Sequence, residues 1–222
     1  DSGQVCNKGG CGVDPSYPLS VAIADDGIPN VGIGGHGCVA LGTGAVRCWG
    51  FGTNGQIGDG ANSDRYLPTT VGGISDAVQV SVSPMTSCAR LTGGQVMCWG
   101  YNSNGELGNG SNTASNLPVY VSGLSSVTNL STCGDGNGTG HSCAVGNGGS
   151  VWCWGFNQYG QLGNGSRTSS NVPVQVSNLT GAKQVHVGMQ YSCALLSSGK
   201  VVCWGANANG QLGNASTADS LT

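Results

Sequence analysis

One tripeptide, Cys-Trp-Gly, recurs four times in this chain of 222 residues, and each copy follows a second cysteine by ten positions. An internal period marks a repeat protein, because each unit must stack on its neighbours to bury its apolar face. The tripeptides occupy residues 48–50, 98–100, 153–155 and 203–205, and the preceding cysteines are Cys38, Cys88, Cys143 and Cys193.

Prolines at a similar period divide the chain into a leader and four units. The spacings are 50, 50 and 55 residues, and the five extra residues fall in a glycine-rich stretch before Cys143. An insertion at one spot predicts a longer loop on one unit. The prolines are Pro18, Pro68, Pro118 and Pro173, which predict a leader at 1–17 and repeats at 18–67, 68–117, 118–172 and 173–222.

The two cysteines of each unit belong to a predicted β-hairpin. Two short alternating runs, residues 87–91 and 95–99, are joined by three residues that end in Gly94. This pattern is typical of a turn that needs a left-handed residue, and it places Cys88 opposite Cys98. Opposed residues can form a disulfide, which indicates an exported protein at the cell surface or outside the cell. The predicted pairs are Cys38–Cys48, Cys88–Cys98, Cys143–Cys153 and Cys193–Cys203.

A valine-rich strand precedes the hairpin and a proline-containing strand follows it, so each unit supplies four antiparallel strands. Four short strands in about 50 residues are typical of a propeller blade. The predicted fold is therefore an all-β propeller of four four-stranded blades. Tryptophan follows cysteine directly and so lies on the opposite sheet face, where stacking would bury it. The predicted blade-core residues are Trp49, Trp99, Trp154 and Trp204.

These motifs together resemble the regulator-of-chromosome-condensation repeat family. Residues 141–144, His-Ser-Cys-Ala, and 191–195, Tyr-Ser-Cys-Ala-Leu, are similar to its second strand, and a Gly-Gln-Leu-Gly loop recurs at residues 160–163 and 210–213. The resemblance covers residues 18–222 and implies a β-propeller. The cysteine pairs make the chain more similar to secreted bacterial members than to the founding nucleotide exchange factor.

The ends of the repeat array predict strand exchange. In the proline frame, Pro18, Leu19 and Val21 form an outer strand without a blade, while the last blade stops at Thr222 where its outer strand should begin. Unpaired strand edges favour pairing. The expected closures are a four-bladed ring, an eight-bladed ring of two copies, a head-to-tail filament, or a place within a longer ring.

Composition narrows the function classes. The net charge of −3 and 8% charged residues provide no basic surface for nucleic acid. No stretch is apolar and long enough to span a membrane. No catalytic motif occurs, so the sequence predicts neither an enzyme nor a cofactor. The leading hypothesis is a structural or adhesive protein that binds itself, and the alternative is a monomeric, inhibitor-like binding module for a protein or glycan.

Several other features leave alternatives open. Cys6 could form a disulfide with Cys11 and leave Cys133 unpaired, or Cys133 could form a disulfide with a cysteine of the leader. A metal site at His36, Cys38 and Cys48 is the alternative to a disulfide, but Thr86 and Tyr191 replace the histidine in other units. Residues 135–140 are similar to half of a calcium loop and lack its closing acid. Asparagines in Asn-x-Ser/Thr sequences are candidate glycosylation sites, with turn chemistry as the alternative: Asn109, Asn129, Asn137, Asn164, Asn178 and Asn214.

Overall fold

The computed structural model describes residues 4–7, 10–13, 17–24 and 35–222. A two-stranded hairpin, β1 (Gln4–Asn7) and β2 (Gly10–Val13), precedes four sheets, which we call blades one to four. Blade one contains β3 (Pro18–Ala24), β4 (His36–Leu41), β5 (Val46–Gly50) and β6 (Arg65–Thr70). Blade two contains β7 (Ala77–Val82), β8 (Thr86–Leu91), β9 (Val96–Gly100) and β10 (Ser115–Tyr120). Blade three contains β11 (Asn129–Cys133), β12 (His141–Val145), β13 (Val151–Gly155) and β14 (Ser170–Gln175), and blade four contains β15 (Ala182–Val187), β16 (Tyr191–Leu196) and β17 (Val201–Gly205).

Each blade is an antiparallel meander whose strands pair in chain order. The predicted all-β propeller with four blades is confirmed. Blade four has three full strands among the described residues, and a single bridge between Gly205 and Ser220 marks where its fourth would begin.

The central hairpins form as predicted. In blade two, Gly94 closes the turn with a φ of 75°, a conformation that costs glycine little. The register then sets Cys88 opposite Cys98, with Cα atoms 4.1 Å apart. All four hairpins carry the predicted disulfide: Cys38–Cys48, Cys88–Cys98, Cys143–Cys153 and Cys193–Cys203.

The predicted strand-exchange role of Pro18, Leu19 and Val21 is wrong. These residues lie in β3, the first strand of blade one, which pairs with β4 of the same chain. Ala22 faces Cys38 just as Ser81 of β7 faces Cys88. The alternation of apolar residues in β3 is compatible with either the inner or the outer strand of a blade. In the structure β3 is the inner strand, because its backbone pairs with the otherwise free edge of β4. Proline is tolerated there as the first residue of its strand.

The other prolines of the period do lie in outer strands, Pro68 in β6, Pro118 in β10 and Pro173 in β14. In the leader, the backbone register sets Cys6 opposite Cys11. The side chains of these two cysteines lie outside the described residues, so their pairing stays a prediction. Cys133 is half-buried and forms no disulfide within the described part of the chain.

The apolar core lies between the blades. One cluster joins Cys38 and Val46 of blade one to Val80 and Trp99 of blade two. Trp99, Trp154 and Trp204 are 0% exposed, as the sequence predicts, whereas Trp49 is partly exposed. Because the core forms only where two blades meet, a blade is stabilised mainly by its neighbours.

Candidate functional site

The repeated element of this molecule is the joint between successive blades. At each of the three internal joints, a tryptophan Nε1–H donates to a backbone carbonyl in a loop of the preceding blade, at 2.9 Å. The indole is thus both buried and hydrogen-bonded, which a polar nitrogen away from water requires. The pairs are Trp99 with Gln56, Trp154 with Glu106, and Trp204 with Gln161.

The loop that receives the tryptophan is the Gly-Gln-Leu-Gly segment. Its apolar residue is fully buried as an anchor, and its second glycine lies directly against the incoming indole. At Gly108, for example, an added Cβ would meet Trp154 Cδ1 at 2.8 Å. An asparagine braces the loop, since Asn102 Oδ1 accepts the Leu107 N–H. The recurrence of this loop in the sequence did not reveal that it receives a tryptophan. One signal was present, since Asn102 and its counterparts Asn157 and Asn207 all follow their tryptophan by three residues.

Two internal joints also carry a buried histidine bonded to a serine of the next blade. Ser87 Oγ donates to the Gln56 carbonyl at 2.8 Å, so it accepts from His36 Nε2, 2.7 Å away. Ser192 makes the same pair of contacts with the Gln161 carbonyl and His141, at 3.0 and 2.8 Å. Burial lowers the pKa of His36 to about 4 and that of His141 to about 3. Both imidazoles are therefore neutral at physiological pH, and each donates to the serine of the next blade.

The two candidate metal sites of the sequence consist of side chains that already have protein partners. Cys38 and Cys48 are oxidised and His36 is bonded to Ser87, so this trio offers no thiolate for a metal. Asp135 Oδ1 accepts the N–H groups of Asn137 and Thr139. Burial would raise the pKa of Asp135, but these bonds outweigh it and lower the pKa. Residues 135–140 thus form a loop closed on its own carboxylate.

The candidate glycosylation sites fall into several environments. Asn109, Asn164 and Asn214 each accept the backbone N–H two residues later, as asparagines in turns do. Asn129 Oδ1 accepts the Val185 N–H across a blade joint. Asn137 and Asn178 are exposed. Glycosylation at any of the six stays a prediction.

The joint is incomplete at the two ends of the array. Among the described residues, the leading face of blade one carries Leu19, Val21 and Ile23 of β3, which are exposed, and Arg47 and the partly exposed Trp49 of β5. Val21 and Ile23 are 66% and 80% exposed. Their counterparts in blade two, Val80 and Val82, are 4% and 8% exposed because blade one covers them.

The opposite end shows the other half of a joint. The trailing face of blade four is formed by Tyr191, Cys193, Val201, Cys203 and Gln211. Val201 is 64% exposed, and both cysteines of its disulfide are partly exposed, whereas those of the first three blades are buried. No helix in the described residues is both long and apolar enough to cross a bilayer.

A stack of blades joined in this way defines the fold class of this chain as a β-propeller. The model for the Regulator of chromosome condensation (RCC1) repeat matches residues 43–90, 93–145 and 148–195, and a second RCC1 repeat model matches 77–106 and 182–211. These matches cover more than half of the chain, which therefore belongs to the RCC1 repeat family.

Solved structures show the same fold. Human WBSCR16 is 27% identical with a TM-score of 0.71, over 84% of this chain and 49% of that protein. Yeast RCC1 (Prp20), solved bound to Kap60, is 17% identical with a TM-score of 0.69, over 84% of this chain and 45% of that one. Prp20p from Saccharomyces cerevisiae, described with its binding properties to Gsp1p and histones, is 18% identical with a TM-score of 0.70, over 84% and 47%.

This chain spans about half the length of those proteins, with 49%, 45% and 47% of each covered. RCC1-like propellers are protein-binding modules, and they are typically binding or exchange-factor proteins rather than catalysts. The four disulfides fit an oxidising compartment.

Proposed function

We propose that this protein is an exported, non-enzymatic structural protein that assembles with copies of itself through the two uncovered blade faces. The observation that carries the proposal is the exposure of Val21, Ile23 and Val201, which occupy positions that internal joints bury. Burying one such side chain stabilises by about 1.5 to 3 kcal/mol. Exposed apolar side chains at a sheet face favour a protein partner.

Export is part of the proposal and rests on oxidised cysteines. Eight of the eleven cysteines lie in the four hairpin disulfides. Free thiols counted in denaturant without reductant should therefore number three or fewer in protein taken from its native source. Eight or more free thiols in that material would contradict the oxidising compartment.

Self-assembly is tested by the mass of the purified protein in solution, measured by light scattering over a concentration series. We expect a mass above the 22.0 kDa of one chain. Ile23→Glu places a charge at a position that is 80% exposed, so it should leave the fold intact and reduce the assembly to single chains. Thr113→Glu, on an exposed loop of blade two, is the matched control and should assemble as the parent does.

A monomeric binding module for a protein or glycan is the second candidate, and a groove favours it. The groove encloses about 520 Å³ between the turns at Cys133, Met189, Tyr191 and Gln211, and Met189 is 50% exposed. A parent protein that stays at one chain at every concentration would exclude self-assembly and leave this candidate.

A further inference from the structure

We propose that a groove between blades two and three binds an acidic sugar, whose carboxylate pairs with Arg90. The groove encloses about 500 Å³ and lies where the hairpin turn of blade two meets the segment that enters blade three. It belongs to an internal joint, so this inference goes beyond self-assembly and does not depend on the end faces. Its polar lining side chains are Arg90, Thr92, Ser126, Thr128 and Asn147.

Arg90 departs from the pattern of its repeat position. It follows Cys88 by two residues, and Ala40, Val145 and Leu195 follow their own cysteines in the same way. At the two other internal joints, Ala40 and Val145 are 0% and 1% exposed. Withdrawing a guanidinium from water costs free energy unless an anion compensates it, and burial accordingly lowers the pKa of Arg90. Because an apolar residue fills this position at the other joints, packing alone does not account for the arginine.

The guanidinium of Arg90 is held at one edge and open at the other. Its Nε–H donates to Gln79 Oε1 at 3.1 Å, and Gln79 Nε2 donates across the joint to the Leu130 carbonyl at 2.9 Å. Among the described residues, the two Nη groups of Arg90 have no hydrogen-bond partner and no carboxylate within ion-pair distance. They therefore form a free fork of N–H donors, which is the geometry that pairs with a planar carboxylate.

The charge of the groove fits a carboxylate better than a phosphate. Among the described residues that line it, Arg90 is the one charged side chain, so there is neither a second cation nor a carboxylate. A phosphate monoester carries a charge between about −1.5 and −2 at neutral pH, and one arginine would leave part of that charge uncompensated. A carboxylate carries a single negative charge, which Arg90 alone can balance.

The hydroxyl groups of the groove favour a ligand that brings its own hydroxyl donors. Thr92 Oγ1 donates to the Asp76 carbonyl at 2.9 Å, and Thr128 Oγ1 donates to the Val145 carbonyl at 3.3 Å. Since each threonine uses its proton in that bond, it offers only oxygen lone pairs to the groove. The exposed Asn147 carboxamide can both donate and accept. The ring hydroxyls of a sugar match these groups, whereas a simple carboxylate has no donor for the threonines.

Titration of the oxidised protein with matched ligands, followed by amide shifts in ¹H–¹⁵N spectra, tests the proposal. D-galacturonic acid carries a carboxylate where D-galactose has a hydroxymethyl group, and acetate supplies a carboxylate without a sugar ring. We expect galacturonate to give saturable shifts at Gly93, Gly94 and Thr128. Its dissociation constant should be at least about tenfold below those of galactose and acetate.

Three results with the parent protein would overturn the proposal. Galacturonate could leave the amides of the groove unshifted, in which case the groove does not bind it. Galactose could bind as tightly, which would deny Arg90 a carboxylate partner. Acetate could bind as tightly, which would make the groove a site for simple carboxylates rather than for a sugar.

Two variants place residues that other blades already have at the same repeat positions, so both should fold. Arg90→Leu introduces the residue found at Leu195, and it should weaken galacturonate binding about ten- to hundredfold because a charge-assisted pair is lost. Thr128→Val introduces the residue found at Val78, and it should weaken binding about two- to tenfold through the loss of one acceptor.

Lys200→Gln is the matched control, since it also removes one positive charge but at an exposed position of blade four. It should bind galacturonate as the parent does. Parent affinity in Arg90→Leu would contradict the proposal, and so would an equal loss in Lys200→Gln, because net charge would then explain the effect. Arg90→Lys keeps the charge but not the fork, so it should also bind about tenfold more weakly than the parent. It serves as the test if the leucine variant does not fold.

Discussion

Trp154 and Trp49 occupy the same repeat position and have different surroundings. Trp154 is 0% exposed and donates to the Glu106 carbonyl at 2.9 Å. Trp49 follows the same Cys-Trp-Gly pattern but is partly exposed and has no such acceptor among the described residues. The repeat motif therefore specifies half of a joint, and the neighbouring blade supplies the other half.

This difference follows from the construction of a repeat array. Each blade contributes an apolar leading face and a loop-bearing trailing face, and stability arises where two such faces meet. The three internal joints combine apolar clusters with the tryptophan bond. Among the described residues, the two end faces carry groups at the same repeat positions without a neighbouring blade.

The largest expected effect is that of truncating the two tryptophans, which tests the comparison directly. Trp154→Ala leaves a cavity at a full joint and should lower the free energy of unfolding by about 4 kcal/mol. Trp49→Ala should lower it by about 1 kcal/mol in single chains, because its ring is already partly in water. Urea denaturation with the disulfides intact measures both, in a background where Val201→Glu places a charge at a position that is 64% exposed and keeps the protein as single chains. Equal losses would mean that the end face is covered.

Much of the fold could be predicted because it depends on local spacing. A ten-residue separation with a glycine in the turn sets Cys88 opposite Cys98, and alternation then directs Trp99 to the other face. These relations involve neighbours within one hairpin, where strand geometry alone determines the result.

The rest depends on contacts between blades, which local patterns do not encode. Pro18 matched the period of Pro68, yet β3 pairs as an inner strand because β4 needed a partner on that edge. The carbonyl that receives each tryptophan comes from a loop 43 to 48 positions away in sequence. Only the repeated glycines of that loop hinted that another backbone or ring approaches closely.

The next effect is the pH dependence of the free energy of unfolding, which should differ between the two joints that contain a buried histidine and the joint that does not. The pKa of His141 in the folded state, about 3, lies below its unfolded value of 6.5. The unfolded chain therefore binds the proton first, and stability present above pH 6.5 is lost as the pH falls toward 3. Between pH 7 and pH 4.5, His141 should account for about 3 kcal/mol of that loss.

His141→Thr tests this effect, because the joint between blades two and three already has Thr86 at that position. The variant should show a pH dependence of unfolding that is smaller by this amount, measured by urea denaturation at both pH values. His186→Thr, at an exposed position, is the matched control and should retain the dependence of the parent. If His141→Thr kept the pH dependence of the parent, burial of His141 would not be the cause of the acid-induced loss of stability.

A smaller effect compares one glycine position at a full joint and at the free end. Gly108 and Gly213 both have a φ of 64°, so alanine should cost each about 1 kcal/mol of backbone strain. At Gly108 the new Cβ also meets Trp154 at 2.8 Å and Val121 at 3.0 Å, which should add about 2 kcal/mol. Unfolding of the single chains should show this difference. A similar loss at both positions would show that the indole moves aside without cost.

The smallest effect should come from Ala215, the one loop position of its kind that is not glycine. Its φ is 57°, where Gly60, Gly110 and Gly165 have 88°, 82° and 79°. Ala215→Gly relieves about 1 kcal/mol of left-handed strain, and the greater freedom of glycine in the unfolded chain offsets about half of it. The net gain should be about 0.5 kcal/mol.

Gly165→Ala is the matched reverse change, since a Cβ at Gly165 would meet nothing within 4 Å. It should therefore lose about as much stability as Ala215→Gly gains, through backbone strain alone. Chemical denaturation of both single-chain variants would show paired shifts of opposite sign. Gly165 donates its backbone N–H to the Leu221 carbonyl, and both changes keep the backbone N–H, so neither should alter assembly. A loss of stability in Ala215→Gly would mean that the alanine methyl group makes a contact at this end which the internal joints lack.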